Sequence, residues 1–169
     1  MKLIDKKLAD LKAAQENGTY TLCPRCGCDT MRPKLYTNAL SRIADIEICP
    51  SCGIDEAKLD FMHAPNSLYG WVALQPVRPE SDFAARPAEE VWKLICEQQA
   101  TKLSRIYERF EADEDVHEIR MFAFENCPGL TQFWTHPFQM KYKAADGYVL
   151  VQFKRTETGL EMTASLTEA

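Results

Sequence analysis

The feature that most constrains this chain is a short element that occurs twice. Cys23-Pro24-Arg25-Cys26-Gly27 and Cys49-Pro50-Ser51-Cys52-Gly53 share one pattern, with twenty-two residues between Cys26 and Cys49. Two thiolates separated by two residues reach one ion only if the backbone turns tightly between them. Proline suits the first turn position because its φ is already set. Glycine after the second cysteine suits a residue that takes φ > 0. Two such knuckles bring four sulfurs to a tetrahedron, with metal–sulfur bonds of about 2.3 Å for zinc. The spacing predicts one structural zinc on Cys23, Cys26, Cys49 and Cys52; iron–sulfur clusters use other spacings.

The remaining cysteines are Cys28, Cys96 and Cys127. Cys28, two residues beyond Cys26, is an alternative to it as ligand. Cys26 is preferred because it makes the two knuckles alike. Cys96 reads as a small buried hydrophobe, and Cys127, before Pro128-Gly129, as a turn thiol. The start, Met1-Lys2-Leu3-Ile4-Asp5-Lys6-Lys7, has no apolar run of the kind a secretory signal needs. That predicts a cytoplasmic, reducing setting, in which paired cysteines bind metal rather than form disulfides. The longest uncharged stretch, Phe61 to Val77, carries His63, Asn66, Ser67 and two prolines, so no membrane span is expected.

The segment Tyr20 to Phe61 resembles a zinc ribbon. More narrowly, it is similar to small zinc-ribbon proteins encoded in the genomes and mobile elements of gut-type bacteria. The likeness is carried by the two knuckles, by Thr37-Asn38-Ala39-Leu40-Ser41-Arg42 between them, and by Ile48, Asp55-Glu56-Ala57 and Asp60-Phe61. It covers about a quarter of the chain and implies no known activity. A ribbon of about forty residues buries too little apolar surface to hold itself together. A structural zinc site supplies on the order of 10 kcal/mol.

Hydropathy patterning divides the chain of 169 residues into four parts. Residues 1–19 hold an amphipathic helix over 2–16, with Leu3, Ile4, Leu8 and Leu11 on one face and Asn17-Gly18 as its stop. That face can pack on the chain itself or form a homodimer. Residues 20–64 are the ribbon, with short strands expected over Thr19–Leu22, Thr30–Arg32 and Asp45–Ile48 and a short helix over Ile54–Met62. Residues 65–87 contain four of the nine prolines and read as a linker, although Tyr69–Leu74 has a strand-like pattern. Residues 88–169 read as an α+β domain. Pro87-Ala88-Glu89-Glu90 starts a long helix to about Glu111, whose stripe comprises Trp92, Ile95, Cys96, Gln99, Leu103, Ile106, Tyr107 and Phe110. Strands are expected over Glu118–Phe124, Phe138–Lys143, Tyr148–Arg155 and Leu160–Leu166, with Asp146-Gly147 as a hairpin turn. The economical architecture is one long helix packed on an antiparallel meander, and the fold class is α+β.

Charge bears on function. From residue 70 onward there are eleven basic and sixteen acidic residues, and the net charge of the whole chain is −5. No segment has the basic excess that broad phosphate neutralisation requires. The acidic run Glu111 to Asp115 reads as a solvated helix end, with a phosphate mimic as the sharper reading. Four thiolates leave no open position for a substrate on zinc, and no nucleophile elbow, phosphate-binding loop or zincin helix is present. The leading expectation is a non-enzymatic binding protein that presents the knuckles and the Pro33–Ala44 arm to a protein partner. Its candidate contacts are Arg25, Arg32, Lys34, Asn38 and Arg42. With the mobile-element likeness, one concrete version is a phage-type factor that modulates a host protein. A second reading is nucleic-acid binding through the same cations with Tyr36. A third is an enzyme built on His136 in the aromatic stretch Phe133–Phe138, with His63 and His117 as linker and surface side chains.

Overall fold

The computed structural model describes residues 1–168 and divides into two compact units, Met1–Gln75 and the chain from Pro76 onward. The protein is α+β, with an N-terminal helix, a cysteine cluster, further helices and a four-stranded antiparallel sheet.

In the first unit, α1 spans Leu3–Glu16 and buries Ile4, Leu11 and Gln15. Gly18, at φ 77°, ends it, and the Thr19 N–H bonds the Asn17 side chain. On the apolar face, Ile4 and Leu11 are buried within the first unit and Leu3 and Leu8 are half-buried. Gln15 reaches β2 (Glu47–Ile48): its Nε2 donates to the Glu47 carbonyl at 2.7 Å, and the Glu47 N–H donates back to Oε1 at 3.2 Å. One side-chain amide takes the place of a missing strand along that edge. On the other edge, β2 pairs with β1 (Ala39–Leu40), antiparallel.

Several expectations for this unit are corrected. No strand forms over Thr19–Leu22 or Thr30–Arg32: the Thr19 and Tyr20 N–H groups close the end of α1 on the Ala14 carbonyl at 2.9 and 3.1 Å, and the Arg32 N–H goes to the Asn38 side chain at 2.7 Å. The helix after the second knuckle, α2, spans Pro50–Phe61 rather than starting at Ile54. Pro50 is its first residue, where a missing N–H costs nothing. Tyr69–Leu74 forms two short 3-10 turns, not a strand. Residues 65–75, read from the sequence as linker, belong to the first unit: the Val72 and Ala73 N–H groups donate to the carbonyls of Arg25 and Pro24 at 3.2 and 3.0 Å. Trp71 and Leu74 are each 1 % exposed. Two apolar side chains anchor a proline-containing segment that composition alone marks as a spacer.

In the second unit, α3 (Ala88–Gln98) and α4 (Ala100–Glu111) replace the single long helix. The break is at Gln99, at φ −120° and ψ −9°. Gln99 is buried; its Nε2 donates to the Pro128 carbonyl at 2.9 Å and its Oε1 accepts from the Tyr142 hydroxyl at 2.7 Å. Cys96 is exposed, off the apolar stripe. The Glu118–Phe124 run is not a strand but lies in α5 (Val116–Asn126), capped by the Asp115 carboxylate on the His117 N–H at 2.9 Å. A run apolar on nearly every side carries neither period clearly.

The sheet is a meander in the order β3 (Leu130–Thr135), β4 (Phe138–Ala144), β5 (Gly147–Thr156) and β6 (Gly159–Glu168). Phe133–Thr135, expected in an aromatic loop, belongs to β3; only His136-Pro137 forms the turn. Alternation places Phe138, Met140, Tyr142, Ala144, Val149 and Val151 in one core with Val91, Ile95, Leu103, Ile106, Ile119 and Ala123 from the helices. Tyr107 stacks on Phe153 and meets Phe138 edge-on, both at 5.0 Å between centroids. Asp146, in the β4–β5 turn, accepts from the Ala88 N–H at 2.8 Å and so caps α3.

Candidate metal centre

The four cysteines of the knuckles meet. The Sγ atoms of Cys23, Cys26, Cys49 and Cys52 all lie within 4.8 Å of one another. A tetrahedron with 2.3 Å bonds has sulfur–sulfur edges of about 3.8 Å, so one ion fits with little rearrangement. Cys23, Cys49 and Cys52 are buried, and Cys26 faces outward. Cys28 stands outside the cluster, its thiol 3.7 Å from the Cys26 carbonyl.

The two knuckles share backbone bonds but not the role of their glycines. Gly27 and Gly53 donate to the carbonyls of Cys23 and Cys49 at 2.7 and 3.0 Å. Gly27 has φ 74°, as the turn demands. Gly53 lies inside α2 without positive φ, contrary to expectation; a Cβ there would sit 2.4 Å from the Ala39 Cβ. The first glycine serves the turn, and the second lets β1 approach the helix.

The thiols behave as one set. Burial alone would raise Cys26, but the Cys28 backbone N–H and the Cys23, Cys52 and Thr30 side chains together lower it to about 6. Burial pushes Cys52 well up, against the pull of the Arg25 guanidinium and with added push from its sulfur neighbours. The Cys49 N–H donates to the Cys23 Sγ at 3.3 Å. A dication that replaces the shared protons turns these donors into stabilisers of thiolate charge.

Arg25 is a component of this centre rather than a free contact residue. It is hydrogen-bonded to Cys52 and stands 3.8 Å from both Asp55 and Glu56. Glu56 escaped the sequence reading as a structural group. It is 0 % exposed, one helical turn beyond Cys52, and accepts from the Ser41 hydroxyl at 3.1 and 3.0 Å and from the Arg42 N–H at 2.7 Å. The signal available was its place at i+4 from Cys52, on the same helix face.

The other candidate contacts divide. Asn38 is used internally: its Oδ1 accepts from the Arg32 N–H at 2.7 Å and its Nδ2 donates to the Leu35 and Arg32 carbonyls at 2.9 and 3.2 Å. Arg32 is exposed and donates to the Thr37 carbonyl at 3.0 Å; Arg42 is exposed and paired with Asp60 at 3.1 Å. Lys34 is exposed. In the second unit, His136 lies exposed in the β3–β4 turn with Nδ1 3.0 Å from the Thr135 hydroxyl, and His117 is also exposed. His63, in the first unit, is exposed at φ 52°. No helix among the described residues is long and apolar enough to cross a membrane.

The fold and this site define an α+β protein with a four-cysteine cluster compatible with a zinc ribbon. The chain matches no protein-family model, no curated protein and no solved structure with which it was compared.

Proposed function

We propose that the chain is a non-enzymatic binding protein in which one structural zinc stiffens the first unit for docking on a protein partner. The observation that carries this reading is the all-sulfur cluster of four cysteines. Four thiolates suit zinc, fill its tetrahedron and keep no position for water or substrate, so the ion's role is to hold shape. The surface beside the cluster supplies the docking chemistry. Tyr36 is 76 % and Leu40 57 % exposed, on an arm that Asn38 locks from both sides. A preordered arm with exposed apolar groups loses little conformational freedom on binding. Exposed tyrosines are favoured anchors at protein interfaces.

The charge arrangement supports a protein partner over nucleic acid. Arg25 is committed to Cys52, Asp55 and Glu56, and Arg42 to Asp60, so Arg32 and Lys34 remain as the arm's outward cations. Two cations give a weak phosphate footprint. The resemblance to mobile-element zinc ribbons supports a narrower version, a factor that modulates a host protein.

Native mass spectrometry of the purified chain should show one zinc, lost on Cys49→Ser. Partner capture by the zinc-loaded chain should disappear with Tyr36→Ser plus Leu40→Ser at unchanged zinc content. Fluorescence anisotropy with single- and double-stranded DNA and RNA should show no salt-dependent binding. A clear negative slope against log salt, abolished by Arg32→Ala with Lys34→Ala, would replace this reading with nucleic-acid binding.

A further inference from the structure

The second unit contains a cleft of about 240 Å³ whose lining differs from the surface around it. The lining includes Arg78 and Lys143 and no carboxylate, although acids outnumber bases sixteen to eleven beyond residue 70. Glu125 lies nearby, outside the lining, and accepts from the Val77 N–H at 3.4 Å. The apolar part is Phe83, Phe124 and Leu130, each buried, and Cys127. Burial pushes the Cys127 thiol up to about 11, against the Tyr142 hydroxyl, so at neutral pH it is an uncharged wall. Two hydroxyls already have work within the chain. Ser81 Oγ accepts from the Phe83 N–H at 3.3 Å, and Thr131 Oγ1 donates to the Lys141 carbonyl at 2.9 Å.

Arg78 is held in a specific way. Its guanidinium carbon sits 4.2 Å from the Phe124 ring centroid. Stacking uses the face of the guanidinium and leaves its N–H edge for a bidentate acceptor. Arginine stacked on an aromatic ring, a lysine beside it and an apolar floor form a site for an oxyanion on an apolar body. Gly129 keeps the cleft's shape: at φ 85° it allows a close approach, and a Cβ there would lie 2.5 Å from Phe83 and 2.9 Å from Ser81. The volume falls below the roughly 300–1,000 Å³ of sites for drug-sized molecules, so the ligand is metabolite-sized.

We infer that the cleft between the Arg78 segment, the end of α5 and the β3–β4 pair binds a small organic anion, with its carboxylate or phosphate on Arg78 and Lys143 and its apolar part on Phe83, Phe124 and Leu130. None of its lining residues belongs to the cysteine cluster or to the docking arm.

The test is an amide NMR titration of the purified full chain with benzoate, phenyl phosphate, acetate and benzamide as probes. Benzoate or phenyl phosphate should shift the Ser81, Gly129, Leu130 and Thr131 amides saturably, with half-saturation below about 5 mM. Whichever binds more tightly assigns the oxyanion. Acetate should bind at least tenfold more weakly, because it lacks the apolar body. Arg78→Gln and Lys143→Gln, both exposed positions, should each weaken binding about tenfold without changing the spectrum of the rest of the unit. Equal binding of neutral benzamide, binding that persists in the double variant, or no saturable shift with either aromatic anion would overturn the inference.

Discussion

The first unit adds a sulfur cluster and buried polar clamps to a small apolar core of Ile46, Ile48, Trp71 and Leu74, whereas the second rests mainly on apolar burial. Around the cysteines the buried side chains include Gln15, Ser41 and Glu56, each hydrogen-bonded to a named partner. In the second unit Val91, Ile95, Leu103, Ile106, Met140, Val149 and Val151 are all at 0 % exposure in one cluster. A short unit with a small apolar core offsets little of its conformational entropy by burial, so buried hydrogen-bonded clamps such as Glu56 add to it. The longer unit with three helices and a sheet can. The same chain thus contains two solutions to the same deficit, and they should fail under different conditions.

The largest effect expected is metal removal. Chelation, or Cys49→Ser, should remove on the order of 10 kcal/mol from the first unit. Hydrogen exchange should then show residues 20–61 losing protection while the strands of the second unit keep theirs. If both units lose protection together, the comparison breaks. Next is the converse: Leu103→Ala, at a fully buried position, should cost the second unit about 3 kcal/mol. Urea unfolding should register it with zinc content unchanged. Glu56→Ala removes the acceptor shared by Ser41 and Arg42 and should destabilise the first unit by about 2 kcal/mol. The corresponding readout is earlier release of zinc to a chelator during thermal melting.

A smaller effect sharpens the contrast through pH. Burial raises the Cys127 thiol from its ordinary value of 9.0 to about 11, and burial raises the neighbouring Tyr142 as well. The folded unit therefore holds a proton that the unfolded chain gives up. That contribution is complete below pH 9 and disappears as pH rises towards 11, at up to about 1.4 kcal/mol per pH unit for one proton. Urea midpoints at pH 8 and pH 10 should fall for the native sequence and fall less for Cys127→Ala. The smallest effect is at the surface. Arg86, paired with Asp82 at 2.8 Å and also with Glu90, is a solvent-facing ion pair. Arg86→Ala should leave the melting curve of either unit within error of the native one.

Particular residues show where sequence reading succeeded. The paired knuckles announced the cluster because chelation by closely spaced cysteines is local geometry. Asn17-Gly18 announced the end of α1, and Asp146-Gly147 announced the β4–β5 turn, because both depend on backbone preferences of a few adjacent residues. Alternation across Phe138–Lys143 and Tyr148–Arg155 announced β4 and β5. Where the signal was ambiguous, the reading failed. Glu118–Phe124 carries neither a clear two-residue nor a clear helical period, and burial on several sides makes α5 look like a core strand. Gln99 breaks a helix in a stretch without proline or glycine, because its amide is taken up by Pro128 and Tyr142, 29 and 43 residues away.

The two cysteine knuckles, the α+β class and the bounds of β4, β5 and β6 were legible in the residue order, because knuckle spacing, alternation and turn residues are local patterns. Long-range packing makes Glu56 a buried clamp, brings Arg25 to the sulfur cluster, folds residues 65–75 into the first unit, and sets Arg78 and Lys143 in one cleft with Phe124. Those facts depend on which groups meet across long loops. Meeting at a distance is fixed by the summed packing of the whole unit, which no local pattern records.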